Sequence, residues 1–200
     1  MHRCLFESQL ATMFPELDIS DERLQLSLSH LRELCSLGQS FPVLPASMIV
    51  LAQMILGTYK SPFEIVKAWT ESEMVKEGKG MSEEDAVMAT FKAMIGSDQE
   101  HMVAEGDGPV DAFNKVMRKA LEKYFPCLIE FSLQNYEVRK LGNGDGSAAI
   151  VGVVVTFADQ DNEDALWSTL GFSTNVIKAS WYAMVHAMNY KLMKTGFGLQ

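Results

Sequence analysis

The sequence predicts an α+β fold in which a short α-helical linker subdomain precedes a tandem repeat of two βββα units. Three observations predict it. Apolar residues recur at helical spacing near the N-terminus and at the two-residue period of strands in later segments, and the order β-β-β-α occurs twice along the 200 residues. We therefore expect a helical linker region at residues 1–60 and a domain at 61–200, with its two units at 61–126 and 127–197.

Residues 1–60 are predicted to form two or three short helices. Ser20 can cap a helix whose first turn suits Asp21 and Glu22, and Gly38 ends that helix. Its apolar positions are Leu24, Leu28, Leu31 and Cys35. A second helix at residues 46–56 is apolar on most sides. So short a segment has little to make a core of its own, and we expect it to pack against something larger.

The first βββα unit is predicted from strands at residues 63–74, 85–95 and 101–105. In the second of these, Val87, Ala89 and Phe91 belong to a series that alternates at the period of a strand. Pro109 suits the first turn of a helix that must end before Pro126. The apolar positions of this helix are Val110, Phe113, Met117, Leu121 and Tyr124.

The second unit repeats this order. Strands are predicted at residues 128–141, 148–157 and 166–171, with the turn GNGDGS at 142–147 and an acidic loop at 158–164. Ser173 or Thr174 can cap the last helix, whose apolar stripe is Ile177, Trp181, Met184 and Met188. Aligning Gly106 with Gly171 superposes the two helix starts and predicts a repeat of about 65 residues.

Charge, apolar runs and cysteine content limit the classes of protein to which this chain can belong. Lys and Arg total 17 against 26 Asp and Glu, for a net charge of -9, so a nucleic-acid partner is not expected. The longest apolar run, residues 48–56, is far shorter than the roughly 20 residues of a membrane span, and we expect neither a signal peptide nor a membrane anchor. Cys4, Cys35 and Cys127 lack CxxC spacing, which indicates reduced thiols and a cytoplasmic location.

The sequence offers weak support for a catalytic centre. His2, His30, His101 and His186 are scattered, without HxH or HExxH spacing, so a metal site built by the protein is not expected. There is no GxSxG motif, so support for a nucleophilic enzyme is weak. We predict no catalytic residues.

The segment GDGPVDAF, residues 106–113, has two interpretations. Gly106 and Gly108 open a helix whose N-terminal amides could receive a small carboxylate, with Asp111 close enough to receive an ammonium group, a pairing that matches an amino acid. Alternatively, Asp111 complements the helix dipole in a plain helix cap. The local sequence favours the cap.

Three segments resemble a known regulatory domain in the same order. They are GDGPVDAF, NYEVRKLGNGDGSAA (135–149) and LWSTLGFSTNVIKASW (166–181). Together they resemble the C-terminal regulatory domain of 2-isopropylmalate synthase and citramalate synthase, often called the LeuA allosteric or dimerisation domain. Residues 56–69 and the helix around 24–37 look more like the linker of the citramalate synthase branch.

The resemblance implies a homodimer that binds a branched-chain amino acid, isoleucine or leucine, for feedback inhibition. The parent enzymes condense acetyl-CoA with a 2-oxoacid in a TIM barrel that requires a divalent metal. The HxH motif of that barrel has no counterpart here, so the resemblance implies that this chain carries no catalytic site or cofactor of its own. It also implies a catalytic TIM-barrel domain or subunit as a partner.

The effector contacts of the family fall on Val110, Asp111, Leu133, Tyr136, Ser147 and Val176. By this resemblance Asp111 and nearby backbone would hold the zwitterion, and the apolar members would form a socket or belong to the plain core. The sequence departs from the family at Lys140, where an apolar residue usually lines the pocket. That departure keeps open the alternative of a structural dimerisation module without effector binding. A third hypothesis, separate from Lys140, is a stand-alone acyltransferase.

Overall fold

The computed structural model describes residues 5–71, 87–142, 149–159 and 162–200. The described residues form two compact bodies. The larger body comprises those within 1–60 and 130–200, and the smaller body those within 61–129. Two three-stranded antiparallel sheets, each with a helix, follow a helical N-terminal part, which confirms the predicted α+β fold. Among the described residues, no helix combines the length and apolar character that crossing a membrane requires.

The elements follow the predicted order. The helices are α1 (Leu5–Met13), α2 (Glu22–Ser36), α3 (Ala46–Ile55), α4 (Pro109–Leu121) and α5 (Val176–Lys194). The first sheet has the order β1 (Glu64–Glu71), β2 (Val87–Ile95), β3 (Asp98–Gly106), and the second has the order β4 (Phe131–Leu141), β5 (Ile150–Asp159), β6 (Asn162–Ser173). A short 3₁₀ helix, Pro126–Glu130, separates α4 from β4.

In the smaller body, α4 packs on β2 and β3. Ala89, Phe91 and Ala93 alternate along β2 and are fully buried. The side chains between them face the other side of the sheet, where Lys67 lies 4.7 Å from the centre of the Trp69 ring and Val103 is 41% exposed. The first sheet is therefore apolar and buried on one face and mixed on the other.

In the larger body, the second sheet is covered on both faces. The hydroxyl of Thr169 on β6 donates to the carbonyl of Ala183 on α5, so Thr169 points to the face of the sheet that α5 covers. Val154 and Leu170 point to the opposite face and share a buried cluster with leucines of α1 and α2. The helical segment packs on this second sheet, because α2 presents a continuous apolar stripe. That stripe is Leu24, Leu28, Leu31 and Leu34.

The helices show the register of the repeat most clearly. α4 begins at Pro109 and α5 begins at Val176, 67 positions later. At this spacing the two buried faces coincide residue by residue: Ala112, Phe113, Val116, Met117, Ala120 and Leu121 match Ala179, Ser180, Ala183, Met184, Ala187 and Met188. The predicted alignment of Gly106 with Gly171 is therefore off by two residues, because α4 begins three positions after Gly106 and α5 begins five positions after Gly171.

Several local predictions differ from the structure. Asp21, not Ser20, caps α2, and Asn175, not Ser173 or Thr174, caps α5, because these side chains accept hydrogen bonds from the first turn. Most of the predicted acidic loop is strand, since β5 extends to Asp159 and β6 begins at Asn162. Trp181 was predicted to lie on the buried side of α5, but it is only partly buried. Ala179, Ala183 and Ala187 are buried on that side instead. The strand ends predicted at 72–74 and 85–86, and the turn residues 143–147, lie outside the described residues.

Candidate functional site

The start of α4 is held by a close approach between strand and helix. A Cβ on Gly106 would lie 2.8 Å from Cα of Ala112 and 2.6 Å from Oδ2 of Asp111, so only glycine fits at this point. Asp111 accepts a hydrogen bond from the backbone N–H of Asp107 at 3.1 Å. This geometry is that of a capping carboxylate in the first turn of a helix, where the dipole favours negative charge.

Asp111 also has a cationic partner. Lys115 Nζ, one helical turn later, lies 2.7 Å from Asp111 Oδ2, and the two side chains are 50% and 40% exposed. The hydrogen bond to Asp111 raises the pKa of Lys115 above its ordinary value. Val110, beside Asp111, is partly buried. The first unit thus offers an accessible carboxylate whose counter-charge is an exposed lysine.

A β-bulge determines which side chains of β4 share a face. Leu133 lies opposite Phe157 and Tyr136 lies opposite Val155, and the register shifts between Leu133 and Asn135. Residues directly opposite one another in an antiparallel pair point to the same face, and Val155 and Phe157 are two positions apart. Leu133 and Tyr136, three positions apart, therefore lie on one face only because of the bulge.

Tyr136 links this strand face to the first turn of α5. Its hydroxyl lies 2.8 Å from Oγ of Ser180. Ser180 Oγ donates its own hydrogen to the carbonyl oxygen of Val176 at 2.7 Å. The hydrogen between the two hydroxyls therefore comes from Tyr136, and the tyrosine oxygen keeps its lone pairs for another donor.

The side chains around this link are partly open to solvent. Val176 is 38% exposed and Val138 is 41% exposed, whereas Leu133 and Tyr136 are partly buried. Lys140 is exposed and lies opposite Val151, which puts it on the same strand face as Tyr136. We call Leu133, Tyr136, Val138 and Val176 the β4–α5 patch. It is an apolar surface with a hydroxyl pair at one side and a lysine at the end of the strand.

The structure thus places the predicted site residues in two groups. Val110 and Asp111 begin α4 in the smaller body, whereas Leu133, Tyr136 and Val176 belong to the larger body. Ser147 lies outside the described residues. In the ranges that the structure describes, no three His, Cys, Asp or Glu side chains come together to hold a metal ion.

Sequence reasoning missed Ser180 and the bulge. The bulge had a signal, because apolar residues in β4 stand at 131, 133, 136 and 138, so that one interval of three interrupts a period of two. Ser180 had none, since a serine in a helix gives no indication of the strand it will contact.

The family profile of the LeuA allosteric (dimerisation) domain matches residues 43–192. This match covers most of the chain, including all six strands, α4, and α5 as far as Leu192. The chain belongs to this family. (R)-citramalate synthase of Geobacter sulfurreducens is 33% identical over 84% of this chain and 30% of its own length. (R)-citramalate synthase of Synechocystis is 30% identical over 92% of the chain and 33% of its own length.

A second class of relatives is more distant. 2-Isopropylmalate synthase of Psychromonas ingrahamii is 29% identical over 60% of this chain and 20% of its own length. The chain therefore spans about a third of the citramalate synthases that it matches. The LeuA domain assignment supports a regulatory and dimerising role for this region.

Proposed function

We propose that this chain is the effector-binding regulatory and dimerisation region of a citramalate or 2-isopropylmalate synthase-type enzyme. In this proposal it forms a homodimer in the cytoplasm and senses isoleucine or leucine for feedback inhibition. The observation that carries the effector part is the β4–α5 patch, where the bulge in β4 sets Leu133 and Tyr136 side by side and Tyr136 reaches the start of α5. An apolar surface beside an oriented hydroxyl suits an amino acid, which has a branched apolar side chain and polar groups at its other end.

In the smaller body, Asp111 offers a carboxylate that this proposal assigns to an ammonium group. Its carboxylate is 40% exposed and its partner Lys115 is 50% exposed, so an incoming ammonium group can replace the lysine without breaking a buried ion pair. An ammonium group would thus lie on Asp111, beside the partly buried Val110.

Feedback inhibition requires that the bound amino acid prefer one of two arrangements of the enzyme. The catalytic TIM barrel, as a further domain or a separate subunit, would bind acetyl-CoA and the divalent metal. The helices α1–α3 pack on the second sheet and would carry the change from the effector site toward that barrel.

Thermal melting with single amino acids tests the effector part. A ligand present at 100 times its dissociation constant adds about 2.7 kcal/mol to the free energy of unfolding. We expect isoleucine or leucine at millimolar concentration to raise the melting temperature more than valine does. Light scattering during gel filtration tests the dimer, and the expected mass is twice that of one chain.

Two conservative variants distinguish a direct role of Asp111 in amino-acid binding from a general effect of breaking its ion pair on stability. Asp111→Asn removes the charge that would hold the ammonium group, and we expect it to weaken amino-acid binding at least tenfold by calorimetry. Lys115→Gln is the matched control, because it breaks the same ion pair but leaves the carboxylate free. It should preserve or strengthen binding, and equal losses in both variants would contradict the role of Asp111.

Two observations favour a second candidate, a structural dimerisation module that does not bind an effector. Asp111 is already paired with Lys115, and Lys140 lies on the strand face that holds Tyr136. Under this alternative, melting curves are unchanged by isoleucine, leucine and valine while the dimer persists. Lys140→Ile should then restore amino-acid binding if the lysine alone blocks the site.

A further inference from the structure

A recess of about 240 Å³ lies at the outer edge of β6 in the larger body, where residues of α2, α3 and α5 line it together with β6. We call it the His186 recess. An apolar cavity of about 150 Å³ is large enough for one benzene ring, so this recess can hold a single ring that carries a small substituent. None of its lining residues belongs to the β4–α5 patch.

The walls of the His186 recess are apolar and aromatic. His30 of α2 and Phe172 of β6 pack with ring centres 4.6 Å apart. Leu26 and Tyr182 also line the recess and are 60% and 49% exposed, so they border its opening to solvent. The described residues of the lining include no Asp, Glu, Lys or Arg. A neutral ligand therefore fits this recess better than an ion, whose charge would have no counter-charge there.

His186 presents a hydrogen-bond acceptor to this recess. Its Nδ1 lies 3.1 Å from the carbonyl oxygen of Leu170. Because a carbonyl oxygen can only accept, Nδ1 carries the hydrogen, and the neutral ring keeps a free lone pair on Nε2. Burial lowers the pKa of His186 below its ordinary value, which keeps the ring in this neutral form near pH 7.

Nε2 of His186 has no hydrogen-bond partner among the described residues. Unlike Gln9 Oε1 and Trp167 Nε1, which are buried without a partner, it keeps accessible surface. The carbonyl that orients the ring is itself held in place, because the backbone N–H of Leu170 donates to Ser47 Oγ at 3.1 Å. The recess thus contains a preorganised acceptor that lacks a donor, and a bound molecule can supply that donor.

We propose that the His186 recess binds a small neutral molecule in which one aromatic ring carries a hydroxyl group. The hydroxyl donates to His186 Nε2, which gives that nitrogen the donor it lacks without adding a charge. The ring of the ligand packs on Phe172 and on the aliphatic side chains of Leu26 and Leu51. This site is independent of the amino-acid effector proposed above.

Phenol is the probe, and toluene, which has nearly the same shape but no hydroxyl, is its control. The ring nitrogens of the four histidines in the intact chain are followed by long-range ¹H–¹⁵N NMR near neutral pH, with His186→Phe to assign one pair of signals. We expect phenol to shift the His186 Nε2 signal upfield and saturably at millimolar concentration, because that nitrogen then accepts a hydrogen bond. Toluene should shift it far less.

His186→Phe keeps an aromatic ring of similar size but removes the acceptor. With binding followed by the backbone amide signal of Phe172, this variant should bind phenol about three- to tenfold more weakly and toluene as before. His101→Phe, at an exposed position of β3, is the matched control and should alter neither affinity. The proposal fails if phenol leaves the Nε2 signal in place, if toluene shifts it equally, or if the two histidine variants bind phenol alike. Should His186→Phe not fold, the phenol–toluene comparison on the unaltered chain decides.

Discussion

Gly171 and Ala183 approach so closely that a Cβ on the glycine would lie 2.7 Å from the alanine backbone nitrogen. The carbonyl oxygen of Ala179 would be closer still. This contact joins β6 to α5, and it requires small residues on both elements. The alanines at 179, 183 and 187 form the side of α5 that lies on the sheet, and all three are fully buried.

Gly171→Ala should therefore destabilise the larger body, by about 3 kcal/mol or more, because the clash is with backbone that cannot move aside. Urea unfolding followed by circular dichroism measures the change. Gly108→Ala is the matched control, since Gly108 has extended backbone and open space where a Cβ would be built. Similar losses in the two variants would show that the approach of β6 to α5 is less tight than described.

The Tyr136–Ser180 hydrogen bond predicts a measurable coupling. Tyr136→Phe and Ser180→Ala each remove it, and the double variant should be less destabilised than the sum of the single ones. We expect a coupling free energy of about 0.5–1.5 kcal/mol from a double-mutant cycle in urea. Additive effects would mean that the two hydroxyls do not interact in solution.

Stability should depend on pH through two histidines of the larger body. Burial lowers the pKa of His186 and of His30 below the ordinary value, which is about 6.5. A lowered folded-state pKa means that the unfolded chain binds more protons, so this contribution is complete above about pH 6.5 and is lost as the pH falls through the folded values.

The free energy of unfolding should accordingly decrease as the pH falls below about 6.5. The double variant His30→Asn, His186→Asn should flatten that dependence, whereas His101→Asn, at an exposed position of β3, should not. Urea titrations at several pH values make the comparison. An unchanged slope in the double variant would assign the pH dependence to other groups.

The packing of α2 on the second sheet can be tested with two leucines of the same helix. Leu28 is fully buried in the cluster that includes Val154 and Leu170, whereas Leu26 is 60% exposed. Leu28→Ala should cost about 2–5 kcal/mol, and Leu26→Ala should change stability by less than about 0.5 kcal/mol. If α2 were only a loose linker, both variants would unfold at the same urea concentration as the unaltered chain.

Periodicity in the chain was enough to predict the order of elements and the start of α4. Pro109 and the apolar spacing that follows define that helix locally, and Val110 and Asp111 stand in its first turn as expected. The caps of α2 and α5 were misplaced by one or two residues, because several neighbouring side chains can cap a helix and only the backbone conformation selects one.

The candidate site was less accessible to prediction from the sequence. Leu133 and Tyr136 were expected to share a strand face, but their odd spacing allows this only through a bulge. The contact between Tyr136 and Ser180 joins residues 44 positions apart, and nothing in either local segment specifies the other.

Local pattern sufficed for the α+β class and the doubled βββα order, because each depends on neighbours along the chain. The regulatory family came from the resemblance of three segments to a known domain. Three-dimensional packing decided that α1–α3 cover the second sheet and that the helices repeat at 67 residues. These features depend on which surfaces meet, and that choice is made by the fit of side chains from distant segments.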